Sequence, residues 1–78
     1  MNQANATAFP ENDPRHHTIR MRNAMRDLAQ HLREDVNKID EPQARALFET
    51  SAEVLGALAK AFEDYEQKKE PAFRAQGA

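Results

Sequence analysis

In the stretch ALFETSAEVLGALAKAFEDY, residues 46–65, apolar side chains cover too much of a helix for one neighbour to shelter them. Phe48, Ser51, Leu55, Leu58, Phe62 and Tyr65 recur in alternating steps of three and four. Leu47, Val54 and Ala61 widen that seam on one side, Ala52 and Ala59 on the other. At 100° per residue the apolar arc spans roughly half the circumference, where a two-helix seam needs only a narrow stripe. Glu49, Glu53, Lys60, Glu63, Asp64 and Gln67 fill the rest, with Gly56 among them. The pattern predicts one helix over about 41–69.

A first helix is expected over about 14–39. Asp13-Pro14 reads as an N-cap followed by proline at the first helical position, where its missing N–H costs nothing. Thr18, Met21, Met25, Leu28, Leu32 and Ile39 then lie on one seam, interrupted by Asp35, and Ile19 points away from it. Between the helices, KIDEPQ offers Asp40 as a cap, Gln43 to complete a capping box, and Pro42 in the first turn. A tight turn is expected there. Residues 1–12 are polar and aperiodic and read as a disordered arm; 71–78 read as a tail, with Phe73 folding back towards Ile19 or marking a docking patch.

About sixty residues remain to fold, fewer than the ~70–80 for which one core usually suffices. The chain has no cysteine, so neither disulfides nor thiolate-bound metal can staple it. Association is what remains. The expected fold is all-α: an antiparallel two-helix hairpin, dimerising into a four-helix bundle that buries both flanks of the wide arc. Its core and dimer interface would comprise Met21, Met25, Leu28, Leu32, Leu47, Phe48, Val54, Leu55, Leu58, Phe62 and Tyr65. Ser51 and Asp35, polar on otherwise apolar seams, would fix register.

The segment RHHTIRMRNAMR, residues 15–26, concentrates positive charge, and Arg15, Arg22, Arg26 and Arg33 form a stripe about 27 Å long at 1.5 Å per residue. Such a stripe could follow a phosphate backbone. A better-supported reading is internal charge matching. Residues 14–39 carry six basic and three acidic side chains, and residues 41–70 carry four and seven. Folding about Asp40 would bring Arg15 near Glu66, Arg20 and Arg22 near Glu63, and Arg26 near Glu53. Asp27, His31 and Asp35 share a helical line, but no H-x-x-x-H or E-x-x-H pair accompanies them, and no metal or other cofactor is expected. No catalytic arrangement and no glycine-rich phosphate loop is present either, so no enzyme is expected.

No apolar run approaches the ~18 residues needed to span a bilayer, and the first residues lack a secretory pattern. A cytoplasmic protein without membrane contact is expected. The segment ALFETSAEVLGALAKAFEDYEQKKEPAFR, with HLREDVNKIDEPQARALFE before it, resembles small helical-hairpin proteins of proteobacteria. In architecture the chain is similar to Rop-type hairpin dimers, which bind RNA, and to small helical secretion chaperones. These resemblances imply a bacterial helical hairpin and transfer no functional residue. The expected role is non-enzymatic protein–protein interaction by a homodimer, as adaptor, regulator or chaperone-like partner. The alternative is a nucleic-acid-binding dimer using the arginine stripe.

Overall fold

The computed structural model describes residues 8–68. Within them α1 (Pro14–Val36) and α2 (Pro42–Lys68) fold back on each other across residues 37–41, and no strand occurs among the described residues. The chain is an antiparallel helical hairpin.

Local chemistry sets each helix start. Asp13 has extended backbone, φ −82° and ψ 127°, and its Oδ1 accepts the Arg15 N–H at 2.8 Å while Pro14 occupies the first turn. The same carboxylate takes the Arg15 guanidinium at 3.2 and 2.9 Å, and that guanidinium lies 4.2 Å from the centre of the Phe9 ring. His16 Nδ1 is 2.9 Å from the Phe9 carbonyl oxygen and His17 Nε2 is 2.7 Å from that of Glu11; a carbonyl only accepts, so each nitrogen donates. Residues 9–11, within the stretch expected as a loose arm, are thus tied to the start of α1.

α1 stops at Val36, three residues before the expected Ile39. The N–H groups of Asn37, Lys38 and Ile39 donate three residues back, to Glu34, Asp35 and Val36, which tightens the chain out of α geometry. At the next start the cap is Glu41 rather than Asp40: its Oε1 accepts the Ala44 N–H at 2.9 Å, with Pro42 at the first helical position. Arg45 closes the turn from the other side, donating to the carbonyls of Val36 at 2.8 Å and Ile39 at 3.0 Å.

The contact between the helices differs from the expected one. Among the described residues the buried apolar ones are Ile19, Ala29, Val36, Ala52 and Ala59, and no large side chain is fully buried. Arg22 meets Glu66 at 2.5 Å and Arg26 meets Glu63 at 3.0 Å. Arg22, Ala29 and Val36 line this contact from α1, and Ala52, Ala59 and Glu66 line it from α2. Each series, 22/29/36 and 52/59/66, advances by sevens, the spacing that keeps residues on one face of a packed helix. Ile19 belongs to this inner seam and is only 6% exposed, which corrects the expectation that it points outwards. Arg22 was expected near Glu63 and Arg26 near Glu53; their partners lie three and ten residues further along α2. Arg15 pairs with Asp13 instead of Glu66.

Candidate interaction face

With small side chains on the inner seam, the large apolar ones are left on one side of the hairpin. Met21, Leu28, Leu47, Val54, Leu58 and Tyr65 remain between 39% and 63% exposed. Met25, Leu32, Phe48, Leu55 and Phe62 are half-buried at the edge of the helix–helix contact. All eleven were expected in the core or dimer interface. The structure brings them onto a shared surface but encloses none of them within the hairpin.

Both helices contribute to that surface. Towards the open end a shallow groove of about 390 Å³ is lined by Pro14 and Thr18 from α1 and by Ala61, Phe62 and Tyr65 from α2. Towards the turn a second, of about 480 Å³, is lined by Leu28 and Leu32 against Thr50, Ser51, Val54 and Leu55. On each helix the apolar seam is turned by roughly 100° from the inner seam, which 3.6 residues per turn makes the step of a single residue. Because the helices run antiparallel, both rotations point to the same side, and the two seams join into one face. Ser51 sits in the wall of the second groove, and Asp35 is half-exposed and pairs with Lys38 at 3.6 Å. Neither is a buried polar residue.

The buried polar residues are Asn23, 7% exposed, and Glu66, 8% exposed. Around them the Thr18 Oγ1, Arg22 Nε, Glu66 Oε2 and both amide atoms of Asn23 are buried without a hydrogen-bond partner among the described residues. Sequence reasoning missed this layer because it followed large apolar side chains. The detectable signal was the two seven-residue series, 22/29/36 and 52/59/66, with an arginine at the end of one and a glutamate at the end of the other.

The arginine stripe is largely spent inside the chain. Arg15, Arg22 and Arg26 are engaged by Asp13, Glu66 and Glu63, and of the four only Arg33 has no acidic partner among the described residues. Arg26 and Glu63 form an exposed pair, of a kind contributing under about 1 kcal/mol, whereas Arg22 and Glu66 are largely withdrawn from water. His31 is exposed, and among the described residues no three His, Asp or Glu side chains gather as metal ligands. Among them too, no helix is long and apolar enough to cross a membrane. Phe73 lies outside the described residues. No family model, curated protein or solved structure matches the chain.

Proposed function

We propose that this is a non-enzymatic helical-hairpin protein that works through protein–protein contact, and that two hairpins pair through their apolar faces into a four-helix bundle. The observation that carries this reading is the continuous face from Met21 to Leu47, built from six large residues that stay about half exposed. Fully burying such a side chain is worth about 1.5–3 kcal/mol, so each of the six has on the order of 1 kcal/mol still to gain from a cover. The hairpin spans 51 × 26 × 16 Å, one helix layer deep. A face roughly 30 Å long and 20 Å wide gives about 1,200 Å² when two copies meet, near the lower bound of stable interfaces. A second copy supplies a cover of matching length and matching apolar character, as two-layer packing around one core requires. The assembled bundle then acts as adaptor, regulator or chaperone-like partner. Binding to a polyanion has less support, since three of the four stripe arginines already face carboxylates.

The test places a charge on each helix of the face. Leu28→Glu combined with Leu58→Glu changes only exposed positions of the hairpin, so the helices should persist by circular dichroism. Light scattering should show the wild-type particle at twice the chain mass of 8.9 kDa and the variant at that mass. Equal masses for both proteins would rule the pairing out.

A further inference from the structure

The open-end groove lies where the described chain runs out. Its α2 wall, Ala61, Phe62 and Tyr65, falls within about the last two turns before Lys68, and Pro14 and Thr18 line it from α1. Of the six exposed large residues of the outer face, only Tyr65 belongs to this groove, so the groove adjoins the rest of the face at one edge. The aromatic on the N-terminal side is engaged elsewhere: the Phe9 ring carries the Arg15 guanidinium, and the Phe9 carbonyl accepts from His16. Residues 1–7, MNQANAT, contain no aromatic side chain, whereas residues 69–78, KEPAFRAQGA, contain one, Phe73. Ile19, the expected target of that ring, is already only 6% exposed and would gain little from a cover.

We propose that the C-terminal segment of the same chain doubles back after Glu70 and seats the Phe73 ring in the open-end groove, against Phe62 and Tyr65. Pro71 supplies the reversal: without an N–H it cannot continue a helix, and it disfavours α geometry at Glu70. From Glu70, Tyr65 lies about 7.5 Å back along the helix axis and Ala61 about 13.5 Å, at 1.5 Å per residue. Three extended residues from Glu70 to Phe73 reach about 10 Å, between those two levels. The groove, about 390 Å³, has room for one aromatic side chain, since sites for small ligands begin at about 300 Å³. Phe62 and Tyr65 offer ring edges and faces to a third ring, an arrangement that aromatic groups favour. Tethered only a few residues away, the segment is present at the groove at an effective concentration in the millimolar range, above that of any free chain in dilute solution. Docked there, it shields Phe62 and Tyr65 and leaves Met21, Leu28, Leu47, Val54 and Leu58 to a second hairpin. The docking itself needs no second hairpin.

Nuclear magnetic resonance on the full chain tests this. The Phe73 ring should show cross-peaks through space to the Ala61 and Thr18 methyl groups and to the Tyr65 ring. Diluting isotope-labelled chain into an excess of unlabelled, deuterated chain should leave those cross-peaks at full intensity per labelled chain, as contacts within one chain do. Phe73→Ala should shift the Ala61 and Thr18 methyl resonances through loss of the ring current, and leave those of Val54 and Leu55, in the turn-end groove, in place. Ala61→Glu changes an exposed residue of the groove wall, so it should abolish the cross-peak between Phe73 and Tyr65 with the helical signal intact. A Phe73 ring without cross-peaks to the groove would overturn the proposal, as would groove resonances indifferent to Phe73→Ala. Cross-peaks that fade on dilution would overturn it too, by assigning the groove to a second copy. Self-association is judged separately, at Leu28 and Leu58, which lie outside this groove, so either result there leaves the docking to stand or fall on its own.

Discussion

The inner seam and the outer face of this hairpin invert the usual division of labour. Between the helices lie alanines, one valine, one isoleucine and a buried ion pair; on the outside lie leucines, methionine, valine and tyrosine. Small side chains let two helices approach closely and lock their alignment, but they bury little apolar area. Six large side chains, of the kind that supplies most of the hydrophobic driving force in an ordinary domain, stay exposed beside the contact between the two helices. In the proposed pairing, a second copy completes the cohesion of the hairpin from outside.

Perturbing each surface should produce effects of very different size. The largest belongs to the face. Leu28→Glu with Leu58→Glu forfeits at least about 3 kcal/mol of burial, so association should weaken by about 100-fold or more. A titration followed by light scattering measures it, and it leaves the helical signal of the concentrated protein in place. An intermediate effect belongs to the seam. Ala59 has no exposed surface, and Ala59→Leu would force the two helices apart. Overpacking of this kind costs about 1–3 kcal/mol, which for a chain of this size lowers the melting temperature by about 4–8 °C per kcal/mol. The smallest effect belongs to neither surface. A side chain at Gly56 would meet nothing within 4 Å, so Gly56→Ala should stabilise α2 by about 0.5–1 kcal/mol through helix propensity alone, read as a rise in melting temperature. A destabilised Gly56→Ala would show that this flank is occupied in the assembled protein.

How far the sequence alone leads can be seen at particular residues. Asp13-Pro14 and Pro42 marked both helix starts, because capping is decided within one turn and depends on nothing distant. The breadth of the apolar arc on α2 and the opposite charges of the two helices were also legible, since both follow from spacing. What spacing could not tell was which part of that arc turns inward. Leu55 and Phe62 were expected on the main seam with Ala52 and Ala59 at its flank; in the hairpin Ala52 and Ala59 are buried and Leu55 and Phe62 are half-buried. Periodicity locates a seam but does not rank a broad seam against a narrower, smaller one beside it. Ile19 was misplaced for the same reason. It shares the seven-residue spacing of Arg26 and Arg33, which a search for apolar neighbours passes over. The cap at Glu41 in place of Asp40 is a slip of one residue, whereas the interhelical charge pairs, Arg22–Glu66 and Arg26–Glu63, depend on how long side chains reach along the partner helix, which spacing does not fix.

Whether a second copy covers the outer face is answered most directly at Met21, which is 52% exposed on the isolated hairpin and lies within the face. Oxidation by a brief radical pulse, quantified by mass spectrometry, follows the exposure of the sulfur. Across a dilution series, Met21 should oxidise at least roughly tenfold more slowly at concentrations where the chain is associated than at the most dilute end, because accessibility governs the reaction. Oxidation at one undiminished rate over the whole series would mean that the face stays open to water and that the hairpin is complete without a partner.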